Sequence, residues 1–216
     1  MLETLPLVEN GLLMIIRFNP SMERLEVELA AAPQAFVFMK VGNHAGESFE
    51  QILERKNQEF RATGRIFWGY GGSSCHPVTQ VRPFARSVVE EHGSIFLLME
   101  PIDSRADPDI IPATQYSDDG VVWKPIPKGI EVTGSRYALV LDEIIPGSLD
   151  IPTAEFVVGV GPSRGKRAED YLKGRIDKAC LYREPPAIAA AAEPRRKQIK
   201  FMAKLQEPYT VLLKLK

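Results

Sequence analysis

The run Arg65-Ile66-Phe67-Trp68-Gly69-Tyr70-Gly71-Gly72-Ser73-Ser74-Cys75-His76-Pro77 changes character within a few residues, from apolar and aromatic to glycine, hydroxyl, thiol and imidazole. It predicts a buried strand that delivers a loop able to approach a ligand. Glycine tolerates positive φ, and loops held on a rigid sheet concentrate binding groups. The segments on either side predict helices. Ser48 and Gln51 have capping-box spacing, Phe49, Ile52, Leu53 and Phe60 fall near one helical face, and Gly64 ends the pattern. After the loop, Phe84, Ala85, Val88 and Val89 share a face, Pro83 fits a first turn and Gly93 a stop. Ala35 to Val41 and Ser94 to Met99 are short apolar runs that read as buried strands.

Residues 35 to 99 therefore spell β-α-β-α-β, which predicts neighbouring parallel strands with right-handed crossovers. The fold class expected is α+β or α/β, with a mixed sheet around that core. Upstream, Gly11 to Phe18 and Met22 to Ala30 predict a hairpin, the second strand alternating Leu25, Val27 and Leu29 with charged residues. Between Glu100 and Gly120 the lack of periodicity predicts a long surface loop. Short strands are expected at Val121 to Trp123 and Ile130 to Thr133, and stronger ones at Arg136 to Ile144 and Ala154 to Val160, joined through Pro146-Gly147. One later helix is expected to run to about Leu181, with Ala168, Leu172, Ile176, Ala179 and Cys180 on one arc. The domain organisation expected is a mixed α/β domain over 1–183, a Pro/Ala-rich linker over 184–198, and a C-terminal β-hairpin over 199–216 turning at Glu207-Pro208. A hairpin is marginal alone, so this one is expected to pack on the main sheet or a partner.

Composition excludes several classes. With 44% hydrophobic and 25% charged residues the chain is expected to fold as a soluble protein. Its two cysteines, Cys75 and Cys180, are too few for a disulfide framework and lack the pairing of structural zinc sites, so no metal is expected. The N-terminus has no basic leader region and Leu12 to Ile16 is too short to span a membrane, so a cytoplasmic location without membrane contact is expected. The net charge of −1 conceals an uneven distribution: Val160 to Lys216 holds 14 Lys and Arg against 6 Asp and Glu, and the remainder 13 against 22. Either the C-terminal part meets an anion or an acidic partner, or the two parts attract each other.

Three strand-to-helix junctions are glycine-rich: Gly42-Asn43-His44-Ala45-Gly46, Gly69 to His76, and Gly161-Pro162-Ser163-Arg164-Gly165-Lys166. If they open at one edge of the sheet, helix N-termini and the Arg164 and Lys166 charges make an anion site. The function expected is binding of a phosphate-bearing ligand, a nucleotide or nucleic-acid backbone, by Gly71, Gly72, Ser73, Ser74, Ser163, Arg164, Gly165 and Lys166. Neither glycine pattern has the spacing of a Walker loop or a dinucleotide fingerprint. Trp123 is the expected stacking residue. The alternative is a hydrolase or transferase in which Cys75 is the nucleophile and His44 or His76 the base. A third reading is a non-enzymatic interaction protein whose basic C-terminal region docks on a partner, with the hairpin serving a homo-oligomer.

Overall fold

A computed structural model describes residues 3–9, 12–19, 24–29, 32–44, 46–71, 76–106, 111–174, 176–185 and 195–216. Strands dominate it, and the sheet is mixed. In chain order the elements are β1 (Glu3–Glu9), β2 (Leu12–Asn19), β3 (Arg24–Leu29), β4 (Ala35–His44), α1 (Phe49–Thr63), β5 (Ile66–Gly71), α2 (Val78–His92) and β6 (Phe96–Ala106). There follow β7 (Ala113–Ser117), β8 (Lys124–Pro125), β9 (Tyr137–Leu141), β10 (Ile145–Pro152), β11 (Phe156–Val158), α3 (Ala168–Tyr171), β12 (Lys178–Arg183) and β13 (Arg196–Leu215). Among the described residues no helix is long and apolar enough to cross a membrane.

Local sequence explains the two long helices. Ser48 caps α1 with both halves of the box formed, and Gly64 ends it at φ 72°. Gly93 ends α2 at φ 78°. Pro83 is not in the first turn as expected but inside the helix, because α2 begins at Val78.

The strands are ordered β1-β2-β3-β10-β13-β6-β4-β12-β11, and a branch carries β5-β9-β13-β7-β8. The long strand β13 belongs to both parts. Its first half lies between β10 and β6, with Met202 opposite Ile145 and Leu98, and its second half lies between β9 and β7, with Leu212 opposite Tyr137 and Ser117. The expected C-terminal hairpin is therefore absent. At the cis Glu207-Pro208 bond the ladder is interrupted between Leu205 and Thr210, and Tyr209 takes φ 64°, but the chain continues into the second sheet instead of reversing. Proline lacks a ladder donor, so it marks an interruption here just as it would mark a turn.

The expected series of neighbouring parallel strands is also corrected. β4 pairs parallel with β6, but β5, between them in sequence, pairs antiparallel with β9 in the second sheet. Across this gap Val37, Val41, Leu97 and Met99 pack with Ile66, Trp68, Tyr70, Leu139 and Leu141, under the apolar faces of α1 and α2. Phe36, Phe38, Leu98, Val158, Ala179 and Leu181 form a second cluster on the other side of β4. Phe67, Ala138, Val140, Val211 and Leu213 form a third. β4 is thus buried on both faces, as its sequence predicts.

Further corrections come from pairing that only the fold supplies. The loop expected over residues 100 to 120 contains the end of β6 and all of β7. Residues 145–152, expected as a connection, form β10. Of the short strands expected at 121–123 and 130–133, only a single bridge, Pro112 to Thr133, is formed. The third helix is only Ala168–Tyr171; Gly174 turns the chain at φ 68° and β12 follows. Cys180 is buried as expected, but on a strand, where Ala179 and Leu181 face the second cluster and Cys180 the first. Most of the expected linker, residues 186–194, lies outside the described residues, and residues 196–198 already belong to β13.

Candidate functional site

β5 ends at Gly71 and α2 starts at Val78. Gly72, Ser73, Ser74 and Cys75 lie outside the described residues. His76 is 6% exposed and takes φ 48°, a left-handed conformation that a non-glycine residue keeps only when its surroundings enforce it. Those surroundings are specific. The Tyr137 hydroxyl donates to the His76 carbonyl, and the Tyr171 hydroxyl lies 3.4 Å from His76 Nε2. Burial lowers the His76 pKa, an effect that a hydrogen bond between the ring and the Lys178 backbone opposes. Burial thus favours the neutral ring, which is fixed between α3 and β12.

The β11–α3 loop approaches the same helix. Gly159 packs against the Phe84 ring so closely that a Cβ would lie 2.6 Å from it, and a Cβ on Gly161 would lie 2.9 Å from Gln80 Oε1. The loop folds back on itself, with Val158 N donating to Lys166 O and Gly165 N to Val158 O. This geometry presents Arg164, Gly165 and Lys166 to solvent and leaves Ser163 half-buried. The α2 N-terminus, whose Gln80 faces Gly161, has no side-chain cap and no acid in its first turn.

Basic side chains that the sequence did not single out complete the surroundings. Lys178 Nζ pairs with Asp177 at 3.0 Å and stands 5.8 Å above the Tyr70 ring. Lys40 Nζ donates to the carbonyls of Leu172 and Gly174, both at 3.2 Å, and burial together with Lys197 lowers its pKa. Tyr70, whose hydroxyl reaches Phe38 O at 3.3 Å, is deeply buried and its pKa is raised by that burial. Tyr171, Tyr70 and Tyr137 have no sequence signal beyond that of core aromatics.

Not all expected members join this place. His44 ends β4, pairs through its backbone with Glu47, and lies beside Ala106. The His76 ring bonds Lys178, which is opposite Met39, so His44 lies five residues, about 16 Å of strand, further along β4. Trp123 is on the β7–β8 turn, reached from another side of α2, where Arg82 bonds Asp118 and Thr210. Asp119 Oδ1 accepts from the N–H groups of Val121 and Val122, and these bonds hold its carboxyl at about 2. Gly71 is required by packing: a Cβ there would meet the Tyr137 ring at 1.8 Å. Among the described residues no group of three His, Cys, Asp or Glu is arranged to hold a metal ion. No protein-family model, curated protein or solved structure matches the chain.

Proposed function

We propose that the chain binds a phosphate-bearing ligand, a nucleotide or a nucleic-acid backbone, between the β5–α2 and β11–α3 loops. The observation that carries this reading is the seating of Gly159 and Gly161 on Phe84 and Gln80, which brings the loop of Arg164 and Lys166 to an uncapped helix start. Unpaired N–H groups and the positive dipole end there attract an anion, and the two exposed cations add full charges. Arg164→Ala combined with Lys166→Ala is expected to weaken binding of a single-stranded oligonucleotide. Removing two phosphate contacts should make the slope of log K against log salt shallower by about 1.4. An unchanged affinity and slope overturn the reading.

One observation favours a covalent variant of this reading. His76 is buried, which favours its neutral form, and held at positive φ next to Cys75 in sequence, a combination suited to a general base. Cys180 is fully buried and its thiol pKa is pushed up by burial, so it serves as an internal control. A limiting alkylating reagent is expected to modify Cys75 first, and His76→Ala to slow that reaction. Alkylation at the rate of an ordinary thiol, unchanged by His76→Ala, leaves ligand binding without covalent chemistry.

A further inference from the structure

Away from the glycine loops, a cavity of about 310 Å³ opens near the junction of β9, β10 and β13, walled by Phe60, Phe96, Ile145, Met202 and Ala203. Its volume is at the small end of ligand pockets. Two reciprocal clamps fix the segment that borders it. Asp142 N donates to Lys204 O at 3.0 Å while Asp142 Oδ1 accepts from Lys204 N at 2.7 Å. Asn57 Nδ2 donates to Ile144 O at 2.9 Å while Asn57 Oδ1 accepts from Ile144 N at 3.0 Å. Residues 142–144 are thereby held to β13 on one side and α1 on the other, so the cavity is preformed.

The polar lining is Asp142, Glu143 and Lys204, two carboxylates against one ammonium. Oδ1 of Asp142 accepts from the Lys204 N–H, which anchors the carboxylate at the border of the cleft. Apolar residues from both sides of β13, Phe96, Ile145 and Met202 from one cluster and Phe60 and Ala203 from the other, border the cleft beside the anchored carboxylate, which matches an apolar body with a single cationic group. We propose that this cleft binds a small organic ammonium, its hydrocarbon part against Phe60, Phe96 and Met202 and its charge on Asp142. Burial raises the Asp142 pKa to about 6, Glu143 adds to the rise, and Lys204 opposes it. A bound ammonium favours the ionised carboxylate, so affinity falls as the pH drops through that value.

The test uses three probes with the same phenyl body: phenethylammonium, 2-phenylethanol and phenylacetate. Binding is read from the methyl resonances of Met202 and Ala203. Phenethylammonium is expected to shift both and to bind about tenfold more tightly than the alcohol, the usual gain of a charge-assisted hydrogen bond. Asp142→Asn, which keeps the Oδ1 acceptor, is expected to bring the ammonium down to the affinity of the alcohol and leave the alcohol unchanged. Should that variant not fold, the wild-type affinity at about pH 5 against pH 7.5 makes the same comparison. A weaker ammonium complex in the variant and at the lower pH supports the proposal. Equal affinities for ammonium and alcohol, tighter binding of phenylacetate through Lys204, or unmoved Met202 and Ala203 methyls with every probe overturn it.

Discussion

Lys56 shows how one residue can fix distant chain. Its Nζ donates to Glu59 Oε1 at 2.7 Å, to Phe67 O at 2.9 Å and to Glu131 O, so an ammonium inside the protein has all three hydrogens satisfied. Burial nonetheless pulls its pKa down to about 8 and pushes that of Glu59 up. Lys56→Met would leave the buried Glu59 carboxylate to Arg55, 3.5 Å away, and to the Glu131 N–H, and would free two carbonyls, so a loss of about 3 kcal/mol, the low end for a broken buried pair, is expected in urea unfolding. Lys56→Met with Glu59→Leu, which removes both charges, is expected to cost much less; equal losses would show that the pair has no coupling. Asp142 provides the pH-dependent case. Its pKa is raised from 3.8 to about 6, first by burial, so the native state holds the proton more tightly than the unfolded chain. The resulting stability is fully present below 3.8 and is lost as pH rises through about 6. Asp142→Asn should therefore flatten the dependence of the melting temperature on pH over that window, and an unaltered profile would assign the slope to other groups.

At the scale of elements, the helices were legible and much of the strand pairing was not. The α1 cap is local chemistry: Ser48 N donates to Gln51 Oε1 at 2.8 Å and Gln51 N to Ser48 Oγ at 3.3 Å. Ser48→Ala is expected to cost about 1 kcal/mol, measured by chemical denaturation, whereas a change near zero would mean that packing alone holds the helix start. Because such caps lie within a few residues of one another, the sequence displays them. The fate of residues 168–181 was decided elsewhere. Ala168, Leu172, Ile176 and Ala179 repeat with helical spacing, yet β4 offers an antiparallel edge to Lys178–Tyr182, and Gly174 lets the chain turn to reach it. The same holds for β13, whose partners β10, β6, β9 and β7 are all remote in sequence. The candidate site was legible to a similar degree. His76, Arg164 and Lys166 could be read as polar groups in glycine loops, but the contact of the second loop with α2, Gly159 on Phe84 and Gly161 on Gln80, could not. Gly71 could be taken for a ligand contact until the Tyr137 ring was found against it. Asp142 and Glu143 read as carboxylates on opposite faces of a strand, with solvation as their usual role, and Asp142 becomes half-buried only when β13 pairs beside it.

Across the whole molecule, the charge asymmetry is distributed through the architecture and is not confined to a tail. β12 lies between β4 and β11, and β13 between β10 and β6, so basic strands are threaded among strands of the acidic part. Lys197 meets Glu100 at 2.9 Å and Arg183 meets Glu155 at 2.6 Å across that division. Partly exposed pairs of this kind contribute at most about 1 kcal/mol each, so the arrangement is held mainly by the strand ladders and apolar clusters. The connection of β1, β2 and β3 is of a different order. Among the described residues they pair with one another along most of their lengths, and the ladder that joins them to the rest is that of β3, where Val27 and Glu28 pair parallel with Gly147 and Ser148. Residues from Ala35 onward close their own ladders from β10 to β11 and from β5 to β8 without them. A chain starting at Ala32 is therefore expected to unfold cooperatively in urea with a midpoint within about 15% of that of the full chain. Its m value should be smaller, because m follows the surface exposed on unfolding. The truncation also turns β10 into an edge strand, so concentration-dependent association is expected where the full chain shows none through that edge. Loss of the cooperative transition in the shortened chain would instead make the three N-terminal strands part of the folding unit.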